Sequence, residues 1–252
     1  MTHKTAAILA IGDELLSGRT RDANIHFLAG WLTERSIALK EARIVADDET
    51  EIISALNALR ARYDYVFTSG GIGPTHDDIT YEAIAKAFGR KTVEHPEAMR
   101  LISAWYKAKG EETTPARRRM AMMPEGADLI MNPVTGAPGV RIGNVFALAG
   151  VPSIFKGMLS AIETALERGV RIYSRAVTAL GLPESQLAGP LLEIQSAVKG
   201  VALGSYPIDG DEKGVTIVAR SEDPAAADAA IASVSAAMRA LGAEPADGER
   251  PG

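Results

Sequence analysis

Residues 68–80, TSGGIGPTHDDIT, put three glycines and two adjacent carboxylates into one short segment. Gly70, Gly71 and Gly73 have no side chain, so the backbone can approach a ligand and present its N–H groups. A helix beginning near Asp77 would aim the positive end of its dipole at the same place. Phosphate is the ligand such a turn suits, with Ser69 and Thr75 as hydroxyl donors. Asp77 and Asp78, joined by Asp13, could hold a divalent metal (magnesium, manganese or cobalt) that neutralises the phosphate, or could activate a nucleophile.

The motif is not a P-loop, because no Gly-Lys-Ser/Thr follows it. It is not the dinucleotide fingerprint either, because His76 stands where the third glycine would be. The same residues also spell a tight turn in which Asp77 is a helix N-cap and Asp78 a solvated first-turn carboxylate. Composition alone leaves both readings open.

The flanking elements decide what the loop faces. TAAILAIG (5–12) is a continuous apolar run ending in glycine, the pattern of a strand buried on both faces. Asp22 to Arg35 has helical spacing, residues 37–46 are extended, residues 48–63 are again helical, and YVFTSG (65–70) is a third strand. This alternation predicts an α/β fold, a doubly wound and mostly parallel sheet. Ligands bind such sheets at the carboxyl ends of the strands, where the strand order reverses. If the first strand lies beside the third, Asp13, Glu14 and Asn24 face Ser69, Gly70, Gly71, Gly73, Thr75, Asp77 and Asp78 across that crevice. Asp77 to Phe88 is expected as a helix closed by Gly89. Residues 95–122 read as helical with a break at KGEETTP, RIGNVFALAGVP as a hairpin or as two successive strands, and Ser153–Arg168 as the helix closing a first domain, 1–168.

After Gly169 the pattern changes to strand, helix, hairpin and helix, a small α+β domain over 169–242. The tail, 243–252, has too little apolar content to pack and is expected to be disordered. No internal repeat is present.

Composition narrows the class. At 46% hydrophobic and 23% charged, the chain is an ordinary globular sequence. It has no cysteine, which excludes disulfides, thiolate zinc sites and cysteine nucleophiles. A net charge of −5 argues against nucleic acid as partner. No uninterrupted apolar stretch is long enough for a membrane span, and the opening apolar run stops at Gly12, too short for a secretory leader. A cytoplasmic location is the expectation.

GDELLSG (12–18) with Asp22 and Asn24, SGGIGPTHDDIT, NPVTGAPG (132–139) and LAGVPSIFKGML (148–159) together resemble the MoaB/Mog-type molybdopterin-binding domain, and within it the branch of the competence/damage-inducible protein A (CinA). The resemblance is strong over residues 5 to about 168 and weaker through 170–241. It implies a divalent-metal-dependent pyrophosphatase, a hydrolase splitting adenine dinucleotides such as ADP-ribose or FAD, with Asp13, Asp77 and Asp78 as metal-binding and catalytic residues. Alternatives are molybdenum cofactor synthesis, with molybdopterin bound or adenylylated at the same loop, and a non-catalytic ligand-binding module. The resemblance also implies a homo-oligomer, dimer or trimer, and places Gly136 and Pro138 at the far end of the ligand. Two departures stand out. Thr135-Gly136 reverses the family's usual Gly-Thr, and Met120 replaces a common Gln. The chain ends before the amidase domain of longer CinA proteins could fit, so deamidation is not expected.

Other residues weigh less. Arg117, Arg118 and Arg119 could clamp a pyrophosphate, but consecutive helical positions diverge, so one at most enters the site; a solvated face is the equal alternative. His76 reads as a bystander, His26 and His95 as ordinary helical residues, Lys156 as a surface lysine, and Met120, Met122 and Met123 as packing.

Overall fold

The apolar run at the start becomes β1 (Lys4–Ile11), and its alternate residues serve two different cores. Ala7, Leu9 and Ile11 pack with Ile52, Leu56, Leu59, Tyr81 and Ile84, whereas Ala6 and Ile8 pack with Leu28, Leu32, Phe155, Met158 and Leu159. A strand covered on both faces has no polar side, which is why its sequence does not alternate. These contacts come from a computed structural model, which describes residues 3–209 and 212–248. The chain divides into two units, Met1–Gly169 and Val170–Gly252.

In the first unit β1 is followed by a four-residue helix α1 (Asp13–Leu16), α2 (Asn24–Thr33), β2 (Ile37–Val45), α3 (Glu49–Arg60), β3 (Tyr65–Ser69) and α4 (Thr80–Ala87). Then come β4 (Thr92–Glu94), α5 (Pro96–Ala108), α6 (Pro115–Arg119), β5 (Met122–Pro124), β6 (Asp128–Ile130), β7 (Gly139–Ile142), β8 (Val145–Leu148) and α7 (Pro152–Ile162), with a 3₁₀ turn at Glu163–Ala165. The main sheet has the order β2-β1-β3-β8-β7-β6. Pairings β1–β2, β1–β3 and β3–β8 are parallel, and β8–β7 and β7–β6 are antiparallel. The α/β expectation holds, and β1 does lie beside β3. Gly143 and Asn144 turn the β7–β8 hairpin, with Gly143 at φ 58°.

Boundaries differ from expectation where side chains intervene. Helix α4 begins at Thr80, three residues after Asp77, for reasons given below. Helix α2 begins at Asn24 because the Asp22 carboxylate accepts the Ile25 N–H at 2.9 Å and ends the preceding loop. The break at 109–114 separates α5 from α6, and Thr114 caps α6 by accepting the Arg117 N–H.

The second unit consists of β9 (Tyr173–Leu180), α8 (Glu184–Ala197), β10 (Val201–Ile208), β11 (Gly214–Ser221), α9 (Pro224–Ala240) and β12 (Pro245–Asp247). Its antiparallel sheet, β10-β11-β9-β12, buries Val177, Ala179, Val215 and Ile217 against Leu187, Val234 and Met238. Strand β12 corrects the disordered-tail expectation. Pro245–Asp247 pair with Ala179–Val177, and Gly248 donates to the Ala176 carbonyl at 3.0 Å. Main-chain bonds to an open strand edge order this segment, so its lack of apolar residues did not reveal it. Residues 249–252 of that tail lie outside the described residues. Among the described residues no helix is long and apolar enough to cross a membrane.

Candidate functional site

The parallel strands β1, β3 and β8 end together at Ile11, Ser69 and Leu148, so the segments that follow them share one edge of the sheet. Gly70 and Gly71 are fixed there by contact with protein. Gly70 has φ 109°, and a Cβ on it would lie 2.2 Å from the Ile11 carbonyl oxygen. Gly71 has φ 66°, and its Cβ would lie 2.2 Å from Thr80 Oγ1. The Thr80 hydroxyl donates to the Gly70 carbonyl at 3.0 Å, and the Thr80 N–H to the Gly71 carbonyl at 3.0 Å. These glycines therefore press the loop onto the strand ends and the helix start. Residue type alone, which suggests ligand access, does not reveal this packing role.

Thr75 and Asp78 shape the outer half of the loop. The Asp78 carboxylate accepts the Thr75 N–H at 2.7 Å and also the Thr75 hydroxyl. The Asp78 N–H returns to the Thr75 carbonyl at 3.3 Å. This turn keeps 75–78 out of the helix, so α4 is capped by Ile79 without a side-chain bond, and Asp77 is not its N-cap. The Thr75 hydroxyl also helps hold the Asp77 carboxyl below its ordinary range, with the backbone N–H of Asp77 next in weight. Gly73 matters to the same turn, because a Cβ on it would meet Asp78 Oδ2 at 2.7 Å.

A cavity of about 550 Å³ opens over this loop, lined by Gly70, Gly71, Ile72, Gly73, Pro74 and Asp78 on one side. Glu14, Tyr106, Met120, Thr135, Ala137 and the 149–152 segment supply much of the rest. That volume suits a small-molecule ligand. Among the described residues, no hydrogen bond uses the N–H of Gly71, Ile72 or Gly73. Uncommitted successive amides beside a glycine at positive φ are the kind of backbone from which anion-binding concavities are built.

The predicted residues divide around this cavity. Gly70, Gly71, Gly73 and Asp78 line it, and Thr75 acts through Asp78. Asn24 and Ser69 line a smaller adjoining space of about 60 Å³. The Asn24 amide donates to Ser69 Oγ at 2.8 Å and to the Gly150 carbonyl at 2.7 Å, tying α2 to the ends of β3 and β8. Asp13 and Asp77 are not on the cavity wall; Glu14, the neighbour of Asp13, is. At the far end Thr135 and Ala137 face the cavity, whereas Gly136 (φ 70°) abuts Trp105, and the Pro138 carbonyl accepts the buried Tyr81 hydroxyl at 2.9 Å. Burial pushes the Tyr81 hydroxyl's pKa up, so it remains a donor.

The arginines separate as their positions suggested. Arg117 pairs with Glu111 and lies over the Tyr106 ring, and Arg118 pairs with Glu94. Arg119 makes no hydrogen bond or ion pair among the described residues, and its charge reaches Asp77. His76 is exposed, His95 caps α5 through Nδ1, and Lys156 lies over Phe27. Met123 is core, whereas Met120, expected as packing, also lines the cavity.

Sequence reasoning passed over Asp47. Its carboxylate accepts the Asp13 N–H at 3.0 Å. Burial raises its pKa, and the charges of Asp13, Glu14 and Asp77 push in the same direction. Asp47, just beyond the end of β2, thus feels the charges of three other acidic residues. Its only sequence signal was a position just after a strand, in a run rich in acids. Among the described residues no three acidic or histidine side chains converge as a metal-ligand set.

A family model described as a probable molybdopterin binding domain matches residues 7–168. The chain belongs to that family. A second model, the middle domain of FAD synthase, matches residues 171–246, so the molybdopterin-binding domain is followed by a distinct module. Protein PAE0875 of Pyrobaculum aerophilum is 37% identical over 80% of this chain and 79% of its own length. A CinA-like protein of Desulfosudis oleivorans is 36% identical over 79% of this chain, which spans only about half (51%) of that relative. A crystal structure described as the protein CinA with unknown function, from Thermoplasma acidophilum, superposes with a TM-score of 0.60 at 35% identity, covering 64% of this chain and 97% of that one. The likeness to CinA read from the motifs stands on these matches.

Proposed function

We propose that the cavity over residues 70–78 binds the diphosphate of an adenine dinucleotide, ADP-ribose or FAD, and that the protein hydrolyses it with a divalent metal. The observation that carries this reading is the row of uncommitted amides at Gly71, Ile72 and Gly73 on the wall of a cavity that also holds two carboxylates, Glu14 and Asp78. Backbone N–H groups fixed before the ligand arrives stabilise charge developing on phosphate oxygens without reorganising. The match of residues 171–246 to a FAD synthase domain supports a dinucleotide over a simple phosphate.

A complete metal cage is not what the carboxylates offer. Asp78 and Glu14, the two carboxylates on the wall, suit the commoner arrangement in which one or two carboxylates and the substrate's own phosphates share the ion. When bound, magnesium, manganese or cobalt would neutralise the diphosphate and make its attacking water more acidic. Asp78 orients that shared site because Thr75 holds its carboxylate from two directions. Asp77, kept ionised by its neighbours, supplies negative charge on the solvent side. Asp47 keeps the Asp13–Glu14 turn in place through the Asp13 N–H.

A second reading is favoured by the match over residues 7–168: molybdopterin as the ligand, bound or adenylylated at the same loop. Incubating the protein with ADP-ribose, FAD or molybdopterin plus ATP, each with and without Mg²⁺, Mn²⁺ or Co²⁺, separates the readings. Metal-dependent release of AMP from a dinucleotide supports hydrolysis. Adenylylated molybdopterin alone would replace it. Tight binding without turnover of any substrate would leave a ligand-binding module.

A further inference from the structure

We propose that Tyr106 is a stacking platform for a planar heteroaromatic ring of the ligand, held in position from behind by Arg117. This inference rests on reading the cavity as a phosphate-ester site, and it deepens that reading by assigning the other end of the ligand. Tyr106, on α5, lines the same cavity as the glycine loop. The Arg117 guanidinium lies 3.8 Å from its ring centroid. Arg117 is in turn immobilised, paired with the Glu111 carboxylate and donating to the Glu112 carbonyl at 2.6 Å. Its backbone N–H is fixed by the Thr114 cap.

An arginine with all these partners is poorly placed to clamp phosphate but well placed to fix an aromatic ring. Ring–guanidinium contact orients the tyrosine before a ligand binds, which lowers the ordering cost of binding. The neighbouring wall is apolar: Ile72, Pro74, Met120 and Met158. A cavity with bare amides on one wall and a fixed aromatic ring among apolar side chains matches a ligand that is phosphate at one end and flat ring at the other. Adenine and isoalloxazine share that chemistry.

Calorimetric titration of the full chain with inorganic pyrophosphate, ADP and FMN tests the assignment in wild type, Tyr106→Leu, Tyr106→Phe and Arg117→Gln, with a thermal melt for each. Stacking on an aromatic side chain is worth about tenfold or more in affinity. Tyr106→Leu should weaken ADP or FMN by at least about tenfold and leave pyrophosphate unchanged, with Tyr106→Phe close to wild type. Arg117→Gln, which keeps the tyrosine but removes the guanidinium that orients it, should weaken the same ring-bearing probe about threefold; it decides the matter if the leucine variant does not fold. Whichever of ADP and FMN loses more identifies the ring. Equal losses for pyrophosphate and the ring-bearing probes, or no loss for either ring, would overturn the platform. Tyr106-dependent ADP binding without any pyrophosphate binding would keep the platform and sink the phosphate loop. A wild-type protein that binds none of the three overturns both.

Discussion

The Asp78 carboxylate is held by a single residue, Thr75, through both its backbone N–H and its hydroxyl. This two-point hold gives Asp78 a fixed place on the cavity wall and keeps residues 75–78 out of helix α4. In Asp78→Asn the side-chain oxygen still accepts from Thr75, so the turn persists while the charge is lost. If Asp78 helps hold the metal that neutralises the diphosphate, losing that contact would cost about 3 kcal/mol, about a hundredfold in rate. Metal-dependent hydrolysis should fall by that factor with the melting temperature near wild type. Full activity in Asp78→Asn would remove this carboxylate from the chemistry.

Gly71 and Gly73 should respond differently to alanine. Gly71 sits at positive φ, with Thr80 Oγ1 where a Cβ would go. Gly71→Ala should therefore cost about 1–3 kcal/mol of stability, visible in chemical denaturation. In Gly73→Ala the new methyl meets the Asp78 carboxylate rather than backbone, so it should disturb the Thr75–Asp78 turn and lower ligand affinity while costing less stability than Gly71→Ala. Equal stability losses in the two variants would contradict this division.

Asp47 predicts a pH dependence with a definite sign. Its folded-state pKa is raised, chiefly by burial and also by Asp13, Glu14 and Asp77. A carboxyl raised on folding destabilises the native state when ionised; the penalty grows as pH rises from the unfolded-state value through the folded one, and is relieved as pH falls. Asp47→Asn keeps an acceptor for the Asp13 N–H but has no charge to bury. It should melt higher than wild type at pH 7, with the difference vanishing in acid. A difference that grew as pH fell would reverse the assignment.

Tyr81→Phe removes the donor to the Pro138 carbonyl. Stability should fall by about 1–2 kcal/mol. Because that bond ties α4 to the segment carrying Thr135 and Ala137, ligand affinity should fall as well. Unchanged affinity with lowered stability would confine the tyrosine to a packing role.

The sheet was legible because a strand buried on both faces leaves an unbroken apolar run, as in β1, and because strand–helix alternation dictates parallel pairing. The glycine–aspartate loop was legible from residue type alone. The choice between Asp13 and Glu14 was not. A four-residue helix, α1, turns Glu14 onto the wall, and nothing in its spacing marks that rotation. Gly136 and Pro138 looked like ligand contacts, yet the chain places Thr135 and Ala137 there, because Gly136 must admit Trp105. Tyr106 escaped notice because its place on the wall depends on a break between two helices and on an arginine eleven positions later. Strand β12 depended on a partner edge, which no composition records.

Gly70 donates to the Leu148 carbonyl and Gly71 accepts from Thr80, so the loop is clamped at its root; the Thr75–Asp78 turn holds its outer half, and the uncommitted amides of Ile72 and Gly73 lie between the two holds. The amide of Gly70 should then exchange with deuterium on the slow timescale of the sheet, and those of Ile72 and Gly73 as fast as open chain. Occupation of the cavity would bring these two rhythms together. An exchange experiment could therefore register a bound molecule of unknown structure from two adjacent residues, before any activity has been assigned.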